Sequence, residues 1–201
     1  MRCRRSATER EEIQGQALQL ESQASAAATL IAAVDARDSY TGEHSQAVVA
    51  HAVAVARDLG LRGSEVREVE LAALLHDIGK IAIPDAILHK NGALTDEEWE
   101  VMRAHPILSE RLIGNVPQLA DLAPMIRAEH EHWDGGGYPD GLAGEQIPLA
   151  SRITLVCDAY HAMTSDRPYR KAMSPRGEIV GGSGTQFCPT AAQALLRVLA
   201  T

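Results

Sequence analysis

The sequence predicts an all-α domain with one long N-terminal helix, and three observations carry that prediction. Aromatic residues are only 3% of the 201 residues, so the 45% hydrophobic fraction is mostly Ala, Leu, Val and Ile. Such a mixture suits helices packed closely on small side chains. Apolar positions recur at spacings of three and four, the helical period, and no two segments alternate as a strand pair would. Ser, Thr, Pro and Gly also punctuate the chain where helices start and stop.

The elements follow in order. Ile13, Ala17, Leu20, Ala24, Ala27, Ile31 and Val34 form a heptad seam, which implies one long helix. Two readings of it stand side by side: it lies on its own domain, or it dimerises and continues an upstream sensor. Residues 46–59 carry Val48, Val49, Ala52, Val53 and Ala56 on one face and close at Gly60. Ser64 is expected to cap a helix reaching about Ile78. Thr95 with Glu98 makes a capping box, Leu94 can staple onto Trp99, and the helix must break near His105–Pro106. Pro106 then opens a helix to about Ile113. Short helices over 118–122 and 124–130 lead to the glycines at 135–137, and another helix spans 151–163. The tail, with Gly177, Gly181, Gly182 and Gly184, reads as irregular until a helix over 190–199.

Length and charge exclude several classes. A 21.6 kDa chain suffices for one domain with a sizeable core and is neither a peptide hormone nor a large multidomain enzyme. A net charge of −8 and a pI near 5.5 argue against nucleic-acid polymers, which need a basic face, while a small phosphorylated ligand fits. Cys3, Cys157 and Cys188 form no CxxC pair and read as free thiols in a reducing compartment. The basic start lacks the apolar run of a signal peptide, and no stretch approaches the roughly 20 apolar residues that cross a bilayer. The expectation is a cytoplasmic protein without membrane insertion.

The chemistry-bearing residues are His44, the His76-Asp77 pair, His105, and His130 within EHEHWDGGGYP. Imidazoles and carboxylates scattered in this way cannot form a zinc finger. They suit a dinuclear nitrogen and oxygen site assembled by several helices. Any one of these histidines alone would read as a core or surface residue. The segment 134–139 reads as a tight loop whose three glycines permit positive φ and whose Pro139 stiffens the exit.

Taken together, HDIGK at 76–80, HP at 105–106, HEHWDGGGYPDGL at 130–142 and CDAYHAMTSDRPYR at 157–170 resemble the HD-GYP family of metal-dependent phosphohydrolases. The resemblance runs from about Ala32 to Leu199 and divides the chain into a linker helix, 1–31, and an HD-GYP domain, 32–201. It implies an HD-domain-like helical bundle that hydrolyses cyclic di-GMP to pGpG, GMP or both through a metal-bridging hydroxide. Carried over by position, His44, His76, Asp77, His105, His130 and Asp158 match metal ligands, with Asp77 bridging two ions, iron or manganese. Lys80 matches a phosphate-contacting lysine, and Arg167 and Arg170 match substrate-holding positions. The loop of Asp134, Gly135, Gly137, Tyr138 and Pro139 is linked in the family to partners such as diguanylate cyclases. His51 and His161 read as packing or supporting residues, and His89 and His132 as solvent-side.

Three departures modify the expectation. Glu129 replaces one of two adjacent histidines, and a glutamate there can still bind iron or manganese. Tyr40 stands where members with three metals carry an acid, which favours two ions. Ser109 stands where the HPxxG pattern has glycine, and the stretch before GTQF at 184–187 is short. Two other readings remain alongside the cyclic di-GMP hydrolase: a non-catalytic interaction module disabled at Glu129, and a hydrolase of another nucleotide.

Overall fold

The computed structural model describes residues 7–35, 39–164 and 175–200, and within them the side chains of 14–34, 45–164 and 175–200. Helix α1 (Ala7–Asp35) is followed by α2 (Ser39–Asp58) and α3 (Ser64–Leu75). A 3-10 turn (Ile78–Ala82) leads to α4 (Asp85–Leu88), α5 (Asp96–Met102) and α6 (His105–Gly114). Then come α7 (Ala123–Arg127), α8 (Leu149–Thr164), α9 (Pro175–Gly181) and α10 (Pro189–Val198). No strand forms among the described residues; Ser183 and Phe187 make an isolated bridge. Among the described residues no helix is long and apolar enough to cross a membrane.

Helix α3 is the central element because two of its faces are apolar. Val69, Ala72 and Ala73 join Val48, Ala52, Val55 and Ala56 of α2 in one core cluster, completed by Ile153, Val156 and Cys157 of α8 and Ala191 and Leu195 of α10. Leu71 and Leu75 join a second cluster with Ile78, Ile113, Leu119, Leu122 and Ile126. Each fully buried leucine or isoleucine contributes roughly 2 to 3 kcal/mol, so α3 is anchored on both sides. The small alanines between α2 and α3 let the two axes approach closely.

The heptad seam of α1 splits in two. Ala27 and Val34 are buried in the second cluster, with Ile31 packed against it, whereas Ala17, Leu20 and Ala24 face solvent, and Leu18 is 60% exposed. The C-terminal half lies on its own domain, as one of the two readings has it.

Three expectations about the elements are corrected. Ser64 is the first helical residue and not the cap: Gly63, at φ +54, turns the chain into α3, and no side-chain cap bond forms. That helix ends at Leu75, where a turn at His76-Asp77 tightens into the 3-10 segment, so it stops short of Ile78. The tail is not irregular before 190, because residues 175–181 form α9 with Ile179 fully buried. The capping box of Thr95 and Glu98 forms, with Glu98 also accepting from the Thr95 amide at 2.7 Å.

Candidate metal centre

Two histidines are set by the same local device at two helix ends. His76 caps α3, and its Nδ1 donates to the Ala73 carbonyl at 2.8 Å. His105 opens α6, and its Nδ1 donates to the Met102 carbonyl, also at 2.8 Å. A carbonyl can only accept, so each Nδ1 carries the proton and each Nε2 presents a lone pair. Such second hydrogen bonds orient the imidazoles of metal sites.

The lone pairs converge with carboxylates. Nε2 of His76 lies 3.4 Å from Asp77 Oδ2, and Nε2 of His105 lies 3.5 Å from Asp77 Oδ1 and 3.0 Å from Glu129 Oε1. His130 Nε2 approaches His105 Nε2 to 3.1 Å and Glu129 Oε1 to 3.9 Å. Ligand atoms of His105, Glu129 and His130 all lie within 4.8 Å of one another. Asp158, on α8, acts electrostatically on Lys80, His105, Glu129 and His130. The side chain of His44, that of Tyr40, and Arg167 and Arg170 lie outside the described residues.

Electrostatics sort these groups into distinct states. Burial alone would raise the Asp77 carboxyl, but Lys80, with Nζ at 2.7 Å, and then His76 and His105 hold it well below the usual range. Lys80 is raised by the same pairing against its own burial, so it stays an ammonium. Glu129 is pushed well above the carboxylate range, chiefly by burial. Burial and then His105 lower His130 to about 3. His105 is also lowered, again chiefly by burial.

A cation fits this donor set. Glu129 is 2% exposed, and no donor reaches either of its oxygens among the described residues, an arrangement that costs the carboxylate form free energy unless a positive partner is present. The facing Nε2 atoms of His105 and His130 require a proton or a metal between their lone pairs. Imidazole with carboxylate suits hard or borderline divalent cations.

The adjoining loop is held from three sides. Glu131, 1% exposed, accepts the Asp140 amide at 2.6 Å and the Leu142 amide at 3.0 Å. Arg127 forks onto Asp140 at 2.6 and 2.7 Å and reaches Glu110. The GTQF run supplies the carbonyls of Gln186 and Thr185 to the amides of Trp133 and Asp134. Of the three adjacent glycines only Gly135 has positive φ, which corrects the expectation for the trio. Gly137 serves close approach instead, since a Cβ there would sit 2.2 Å from the His132 amide. Asp134 Oδ1 accepts the Gly136 amide at 2.9 Å, and the Tyr138–Pro139 bond is cis. The loop thereby stacks Tyr138 on His130 at 5.0 Å and 21°. Arg103 lies over the rings of Tyr138 and the exposed Trp99.

Sequence reasoning missed Glu131, Arg127 and Arg103. The signal for Glu131 was an acid inside an otherwise loop-forming motif, but its partners are nine and eleven residues away. His51 packs edge-on against Tyr160, and His89 is exposed, as expected; His132 is only half-exposed.

A family model for the HD domain matches residues 28–179. The chain belongs to the HD domain family. Divalent metal ions are implied by an HD domain, and the cluster above is where this one would hold them. The HD domain here is 51% identical over 135 residues to the cyclic di-GMP phosphodiesterase PA4108 of Pseudomonas aeruginosa, covering 67% of this chain and 33% of that protein. It is 40% identical over 140 residues to the 3'3'-cGAMP-specific phosphodiesterase 3 of Vibrio cholerae, covering 70% and 30%. In structure it is similar to Bd1817, an HDG"Y"P protein of Bdellovibrio bacteriovorus, with a TM-score of 0.66 and 19% identity over 80% of this chain and 53% of that one. The chain thus spans about a third of the length of these two relatives.

Proposed function

We propose that this chain is a metal-dependent phosphodiesterase that hydrolyses cyclic di-GMP to pGpG, GMP or both, in bacterial second-messenger signalling in the cytoplasm. The observation that supports it most is the cluster of His105, Glu129 and His130 against Asp77, in a chain 51% identical over 135 residues to a cyclic di-GMP phosphodiesterase. His44, His76, Asp77, His105, Glu129, His130 and Asp158 would hold two ions, iron or manganese. Bound there, the ions would supply Lewis acidity to water and to the phosphoryl oxygens of an in-line displacement.

The chain's own groups prepare that chemistry. Backbone carbonyls fix the tautomers of His76 and His105, so these two imidazoles need no change of tautomer when a cation arrives. Asp77 is ionised beforehand by Lys80, and the Lys80 ammonium, half-buried, steadies charge developing on a phosphoryl oxygen. Tyr138 stacked on His130 limits the swing of that imidazole. Arg167 and Arg170 would hold the phosphates, and Arg103 adds an exposed cation beside Tyr138.

Protein purified without oxygen and loaded with iron or manganese should convert cyclic di-GMP, and His76→Ala or Asp77→Ala should abolish turnover. Absence of turnover with iron, manganese and nickel overturns the reading. The relative from Vibrio makes 3'3'-cGAMP the second substrate to assay, and tight dinucleotide binding without product would assign an interaction module instead. With the domain taken as 32–201 and the linker as 1–31, the exposed half of α1 is assigned to homodimerisation and the Tyr138 loop to diguanylate cyclase-type partners. Sedimentation of a monomer at micromolar concentration would remove the first assignment.

A further inference from the structure

Ser109 departs from the glycine of the HPxxG pattern and is fully buried. Its hydroxyl donates to the His76 carbonyl at 3.0 Å and accepts the Gly79 amide at 2.8 Å. Those two groups bracket Asp77. Ser109 itself sits one turn after His105 on α6, hence on the same helical face. One oxygen therefore ties the backbone on both sides of Asp77 to the helix that carries His105. The contact leaves no slack: a Cβ at Gly79 would lie 2.1 Å from the His105 carbonyl oxygen and 2.6 Å from the Ser109 amide.

Removing the hydroxyl would take this partner from the carbonyl of buried His76 and the amide of buried Gly79. The segment would then gain freedom where the separation of Asp77 and His105 is set. We propose that Ser109 is a positioning residue of the metal centre, its hydroxyl fixing the register of the His76–Gly79 segment against α6. The inference rests on the metal-centre reading above. A serine that merely fills the core would affect stability and leave cation affinity alone.

The test compares manganese(II) affinity and stoichiometry of the full chain, Ser109→Ala, and Ile179→Val, a conservative truncation in the other core cluster on α9. Melting is recorded alongside. Ser109→Ala should bind manganese about tenfold more weakly, at the low end for groups that orient metal ligands, and Ile179→Val should match wild type. Wild-type affinity in Ser109→Ala, or equal losses in both variants, overturns the proposal. Should Ser109→Ala be unfolded without metal, the manganese affinities of both variants are compared in stabilising osmolyte, where they fold, and equal values overturn it. A wild-type chain that binds neither manganese nor iron instead sinks the metal-centre reading itself.

Discussion

Replacing Glu129 with glutamine should uncouple metal binding from proton release. In the metal-free fold the Glu129 carboxyl is driven well above its ordinary value, chiefly by burial and further by Asp77 and Asp158, against the opposing pull of His76 and Lys80. It therefore holds its proton as pH rises past the ordinary carboxylate range, and a cation must displace it. The neighbours release little: Asp77 is already ionised, and His105 and His130 are already neutral near pH 7. Low pH opposes binding, so wild-type affinity should climb about tenfold per pH unit, about 1.4 kcal/mol, between the ordinary and the raised carboxyl pKa and flatten above. The same raised pKa makes the metal-free fold lose stability as pH rises through that window. Calorimetric titration with manganese in two buffers of different ionisation enthalpy, at pH 6 and pH 7, counts the protons. Glu129→Gln should release fewer protons per centre than wild type. Equal release would refute the assignment of that proton to Glu129.

Three other perturbations probe the same assembly. Gly79→Ala would drive a Cβ onto backbone atoms of His105 and Ser109 and should cost about 3 kcal/mol or more in urea unfolding; a wild-type midpoint would refute the close approach. Glu131→Gln keeps one acceptor for two loop amides, so about 2 kcal/mol should go, read by the same assay, and a change of only a few tenths would remove the clamp. His130, lowered to about 3, contributes stability in chelator that is full above its unfolded pKa near 6.5 and lost as pH falls toward 3. The stability difference between wild type and His130→Gln should therefore shrink by about 2 kcal/mol from pH 7 to pH 5, and a constant difference would contradict the burial argument.

What was legible in the sequence is what is fixed locally. The Thr95–Glu98 box, the Pro106 break and the helical runs of α8 and α10 depend on neighbours three or four residues apart, and they form where the pattern puts them, whereas α2 ends as expected but starts at Ser39, ahead of the expected 46. The end of α3 was overshot because its apolar period continues through Ile78, while the backbone tightens at His76-Asp77 to pack beneath α6. Helix α9 was hidden by Gly177 and Gly181, whose low propensity is outweighed by burying Ile179. Tertiary packing decided both cases.

The same division runs through the centre. His76 and His105 could be singled out because each is oriented by a carbonyl three residues back, so their chemistry travels with a short motif. Ser109, Glu131 and the GTQF carbonyls act across 33, 9 to 11 and roughly 50 residues of chain, and no local pattern encodes those pairings. The ligands carry the type of chemistry, whereas these distant supports set where the ligands stand relative to one another. A substitution among the supports should therefore change affinity and geometry while every motif residue remains in place.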